Sequence, residues 1–94
     1  MPLDAADRPR LAAKVRVRVD RVSGQHMLIY PEKGMLLNAT STAIVQRCTG
    51  EHTIAAIIDA LAEQWPTAAR ERIAHEVHAF LDELTLRGLL RIVS

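Results

Sequence analysis

From Val15 onward the apolar positions alternate: Val15, Val17 and Val19 lie on one side of "KVRVRVD", and Lys14, Arg16, Arg18 and Asp20 on the other. A period of two marks a half-buried strand, here with a basic outer face. "RVSGQ" follows as a turn centred on Ser23 and Gly24, and "HMLIYP" reads as a second strand that ends at Pro31. "PEKG" reads as a tight connection in which Gly34 takes positive φ, before a third short strand from Met35 to Leu37. Three strands this close in sequence predict an antiparallel meander.

From Asn38 the period changes. Asn38, Thr40 or Ser41 is placed to accept from the free amides of a first helical turn, and Ala43, Ile44, Val45 and Cys48 form an apolar stripe that stops near Gly50. Thr53 is the next candidate cap. Ile54, Ile57, Ile58, Leu61 and Trp65 then fall on one helical face, which Pro66 ends. A third helix starts near Thr67, with a stripe of Ile73, Val77, Phe80, Leu81 and Leu84, and Gly88 stops it. "LLRIV" closes back on the core as a short strand or an extended tail.

Residues 1–13, with two prolines and mixed charge, read as a flexible N-terminal arm, and 14–94 as a single domain. Three strands followed by three helices, without an internal repeat, predict an α+β, winged-helix-like fold: a three-stranded antiparallel sheet followed by three helices. The 94 residues are enough to bury roughly two thirds of the unfolded surface around one core. Hydrophobic residues make up 49% of the chain and aromatics only 3%, so Leu, Ile, Val and Ala must build that core.

Charge narrows the function. Twelve Lys and Arg against eleven Asp and Glu leave +1, no global field for nucleic acid or an anionic membrane. The third helix, which would enter a DNA groove in a winged-helix protein, sets Arg70, Arg72 and Arg87 against Glu71, Glu76, Asp82 and Glu83, a balance of −1. That is a poor phosphate-binding helix. Residues 1–21 differ, holding six basic and three acidic side chains. This face is either simply solvated or, through Arg16 and Arg18, attracted to an acidic partner.

No catalytic constellation emerges. The glycines at 24, 34, 50 and 88 each stand alone, so no loop is built to cradle phosphate. "HEVH" at 75–78 has histidines at i and i+3, where a zinc-protease helix needs i and i+4; His75 and His78 would need His26 or His52 nearby to hold a metal, so no cofactor or metal is expected. Cys48 lies in an apolar stripe without an activating base and reads as a buried structural thiol. Trp65, at a helix end before proline, reads as the edge of the core, with a recognition aromatic as the alternative. Without an apolar signal-peptide core in "MPLDAADRPR", a membrane-length apolar run or a second cysteine, the expected location is the cytoplasm.

"RPRL", "VRVRVDRVSGQHMLIYPEKGMLLNATSTAIV", "TIAAII" after the Gly50 stop, and "FLDELTLRGLL" together resemble the pyrroloquinoline quinone biosynthesis protein D family from about Arg8 to Leu90. The chain departs from it at Thr49, where relatives often carry aspartate, and "WPTAARERIAHEVH" is less characteristic. The resemblance implies a non-catalytic, winged-helix-like peptide chaperone. Such a protein binds a ribosomally made precursor peptide and presents it to a radical S-adenosylmethionine enzyme, which joins a glutamate to a tyrosine within the peptide. The peptide is expected to add as a strand beside the third strand, against the third helix. Lys33, Met35, Leu36 and Leu37 on the strand, and Val77, Phe80, Leu81 and Leu84 on the helix, are the implied peptide-binding residues. Plain core packing is the competing assignment for the helix side chains. An unpaired strand edge also opens a route to a homodimer by strand exchange. Without the resemblance, the same pattern suits a winged-helix regulator or a generic protein-interaction domain.

Overall fold

The computed structural model describes residues 3–30 and 33–93. In chain order the elements are β1 (Arg8–Leu11), β2 (Arg16–Val19), β3 (His26–Tyr30), β4 (Lys33–Leu36), α1 (Ala39–Gln46), α2 (Ile54–Gln64), α3 (Arg70–Leu86) and β5 (Leu90–Val93). The fold is α+β. Strands β2, β3 and β4 form one antiparallel sheet in that order, and β1 pairs with β5 in a second.

The register sorts side chains onto two faces. Val17, Leu28 and Met35 lie opposite one another across the three strands, and Leu28 is fully buried, so this rung faces the core. The next rung, Arg18, Met27 and Leu36, must then face outward, because neighbouring residues alternate. Leu36 is accordingly 57% exposed. Val15 is buried as the alternation predicts, but Val19, at the end of its strand, is exposed.

Two turn expectations meet different outcomes. Pro31 and Glu32, the first half of the "PEKG" connection, lie outside the described residues. Gly34 sits within β4 opposite Ile29 and is not one of the positive-φ glycines, which are Gly24, Gly50 and Gly88 among the described residues. The space its missing side chain leaves is taken by Met27, whose methyl carbon lies 3.3 Å from where a Cβ would stand.

Helix α1 begins at Asn38, which closes a reciprocal cap: its side-chain oxygen accepts from the Ser41 amide at 2.8 Å, and its own amide donates to Ser41 Oγ at 2.9 Å. Thr53 caps α2 by accepting from the Ala56 amide. Helix α3 begins at Arg70, three residues later than expected, because Ala68 first closes a turn on the Trp65 carbonyl. Ile54, Ile57 and Leu61 of α2 and Val77, Leu81 and Leu84 of α3 are fully buried with Leu28, Leu37 and Ile44 in one core.

Within the stretch read as a flexible arm, residues 8–11 form a paired strand. Ala12 donates to the Leu89 carbonyl, so the ladder to β5 runs through Arg8, Arg10 and Ala12, and Pro9 leaves no gap in it by lacking an amide hydrogen. On its other edge the Pro9 carbonyl accepts from Gly50, and Leu11 donates to the Cys48 carbonyl. Gly50, at φ +85°, is needed there: a Cβ would stand 3.2 Å from Val93 and 3.5 Å from Arg10. No helix among the described residues is long and apolar enough to cross a membrane.

Candidate functional site

Among the described residues strand β4 pairs on one side only, with β3. Leu37, just beyond it, donates to the His26 carbonyl at 2.9 Å, so the backbone groups of Leu37 and, by alternation, Met35 and Lys33 turn towards β3. Those of Gly34 and Leu36 therefore face the open edge, offering two N–H donors and two carbonyls. Asn38 would continue the series, but its amide is held by Ser41 and its carbonyl accepts from Thr42. The cap that starts α1 thus ends the edge.

Where β4 gives way to α1, a groove of about 420 Å³ opens between α1 and α3, lined by Asn38, Thr40, Ser41, Ile44, His75, Glu76, Ala79, Phe80 and Glu83. A smaller hollow of about 160 Å³, with Leu61, Trp65 and Ile73 in its wall, shares Thr40 and Glu76 with it. Both lie along α3. At the far end of α3 the Arg87 guanidinium is bonded to Glu83 at 2.9 Å, and this, with the Tyr30 phenol, raises its pKa.

This geometry divides the residues expected to bind peptide. Phe80 is half-buried and lines the groove. Val77, Leu81 and Leu84 do not reach it; they occupy the adjoining face of α3 and are fully buried. Their spacing from Ile73, one, two and three turns on, is that of a core stripe, and Phe80 lies at its border with the groove. Leu37 is likewise a core side chain, and Leu36 points to the sheet's outer face, so its contribution at the edge is its backbone. Met35 packs partly against the core, whereas Lys33 is exposed opposite Tyr30. His75, Glu76, Ala79 and Thr40 were not foreseen. The i, i+4 pair His75–Ala79 beside Phe80 is the sequence signal for that face.

Residues 25–90 match the family described as Coenzyme PQQ synthesis protein D (PqqD). The chain belongs to the PqqD family. A PqqA binding protein of Rhizobium meliloti (strain 1021) is 39% identical over 85 residues, covering 90% of this chain and 86% of that protein. A second, from Azotobacter vinelandii (strain DJ / ATCC BAA-1303), is 34% identical over 86 residues, covering 92% and 91%. The fold is similar to the solution structure of the PqqD truncation of Methylobacterium extorquens PqqCD, described as a functional, stand-alone RiPP recognition element. The two share a TM-score of 0.80 and 27% identity over 95% of this chain and 94% of that one. The matched PqqD region contains β4, α1 and α3, and so both the open edge and the groove.

The remaining chemistry is sparse. No three His, Cys, Asp or Glu side chains cluster as metal ligands among the described residues. The Cys48 thiol is buried, donates to the Ile44 carbonyl at 3.3 Å, and is pushed up to about 12 by loss of solvation. In the unfolded chain the thiol ionises near its ordinary 9.0, so this site's contribution to stability is whole below that pH and falls as pH climbs towards 12. We expect iodoacetamide at pH 8 to label Cys48 slowly in the folded protein and rapidly in denaturant. Fast labelling of the folded form would contradict a buried thiol.

Proposed function

We propose that this protein is a peptide-recognition chaperone of pyrroloquinoline quinone biosynthesis. It binds the ribosomal precursor peptide as a strand on β4 and presents it to the pathway's radical S-adenosylmethionine enzyme in the cytoplasm, performing no catalysis itself. The observation that carries this reading is an open strand edge that leads, at Asn38, to a groove with Ile44, Ala79 and Phe80 in its wall, in a chain whose relatives are named for binding PqqA. Backbone pairing supplies sequence-tolerant affinity, and Phe80 with its neighbours on α3 supplies a wall for side chains. We read the three-stranded sheet with its three helices as winged-helix-like. Its α3 is ill suited to DNA, since Arg70, Arg72 and Arg87 are engaged by Asp59, Glu76 and Glu83.

Titrating isotope-labelled protein with the precursor peptide tests the reading. The amide signals of Gly34, Leu36, Ala79 and Phe80 should shift saturably, while those of β1 stay in place. Shifts confined to other elements would refute strand addition on β4. Because Trp65 is the chain's single tryptophan and lines the hollow that shares Thr40 and Glu76 with the groove, its fluorescence should also change on binding. An unchanged spectrum at saturation would place the peptide short of that hollow.

The same edge admits a second copy of the chain. Exchange through β1 must break bonds on both of its sides, whereas edge pairing at β4 breaks none in the sheet. Any homodimer should therefore be displaced by the peptide.

A further inference from the structure

A cleft of about 740 Å³ separates the β1–β5 ribbon from the start of β2. Arg10, Arg16 and Arg91 line it together with Leu11, Ala12, Cys48, Thr49 and Ile92, and among the described residues no Asp or Glu does. Arg10 and Arg91 stand directly opposite one another across the two strands. Like charges at such a position repel, and neither arginine forms an ion pair among the described residues, where the three ion pairs use Arg70, Arg72 and Arg87. Arg16 is held in place by its own backbone, its Nη1 donating to the carbonyls of Ala13 at 2.8 Å and Val15 at 3.2 Å. The remaining N–H groups of its guanidinium are left for an acceptor. All three arginines lie outside the segment that matches the PqqD family, residues 25–90.

We propose that this cleft is a docking site for an acidic segment of a partner protein, whose carboxylates bridge Arg10, Arg91 and Arg16. Carboxylates suit the site because planar guanidinium forks grip them with paired hydrogen bonds, and because an anion between Arg10 and Arg91 relieves their repulsion. The location also fits a protein contact. Strands β2 and β4 flank β3, so their edges are about 10 Å apart, and a peptide on β4 lies a further strand spacing away. A partner held here leaves the peptide edge free. This last step rests on the peptide reading above; the chemistry of the cleft does not.

The test uses the full chain and an octaglutamate peptide as probe, read through the arginine side-chain Nε–H signals and by calorimetry. Octaglutamate should shift Arg10, Arg16 and Arg91 saturably, bind more weakly as salt is added, and lose at least about tenfold in affinity in Arg10→Gln/Arg91→Gln. Arg10→Lys/Arg91→Lys, which keeps the charge but not the fork, should lose less. In both variants the precursor peptide should still shift Leu36 and Phe80 as in the parent. Absent shifts, or shifts that persist in the glutamine variant, overturn the proposal. So does inorganic phosphate saturating the same signals as tightly at matched charge, which marks a free-anion site, or tighter binding of oligothymidine, which marks a nucleic-acid site. Octaglutamate binding in a protein that ignores the precursor peptide supports the cleft and overturns the peptide reading alone.

Discussion

Leu36→Pro is expected to weaken precursor-peptide binding by about ten- to a hundredfold while the domain remains folded. The Leu36 amide faces the open edge, so proline there removes a donor the sheet itself does not use, and its ring projects where the added strand must lie. The Leu36 side chain is exposed on the outer face, so its loss opens no cavity. Leu36→Ala is the matching control: it trims the side chain, keeps the amide, and should bind nearly as the parent does. Leu37→Pro is the opposite control. It deletes the amide that donates to His26 and a fully buried side chain, so it should lower the melting temperature sharply. Circular dichroism and thermal melting establish which variants are folded before titration. A folded Leu36→Pro with parental affinity would show that the peptide does not extend the sheet at β4.

The contrast between Leu36 and Leu37 illustrates what the sequence makes legible. Alternation located the strand and helical spacing located all three helices, because burial of one face imposes a period on the chain. Asn38 and Thr53 were legible as cap candidates because a short polar side chain ahead of an apolar stripe has a direct hydrogen-bonding use. Which edge of a strand is open has no such signature: it depends on which strand pairs with it, a fact carried by residues far away. β1 was missed for a related reason. Pro9 and the charges around it argue against a strand locally, yet Gly50, Cys48 and β5 supply partners on both edges from some 40 to 80 positions along the chain. The charged cleft was half legible. The basic excess of residues 1–21 was visible, but Arg91 joins Arg10 only through the antiparallel register of β1 and β5.

On α3 the stripe read as one face divides into two, and two substitutions should separate them. Leu81→Ala should cost about 2–5 kcal/mol of folding stability, since Leu81 is fully buried and the shortened side chain leaves a cavity in the core. Set against a total of about 5–15 kcal/mol for a domain, that loss is large enough to show as a lower melting temperature and a lower denaturant midpoint. Phe80→Ala should behave in the reverse way. Its ring is half-buried and forms part of the groove wall, so truncation removes less from the core, about 1–2 kcal/mol, and takes from the peptide the apolar surface on α3. Peptide affinity should then fall about tenfold or more at a temperature where both variants are folded, with Leu81→Ala near the parental value. The discriminating quantity is the ratio of the two losses. If Phe80→Ala destabilises the domain as much as Leu81→Ala and leaves affinity unchanged, Phe80 belongs to the core stripe, and the groove beside α1 is not the wall against which the peptide lies.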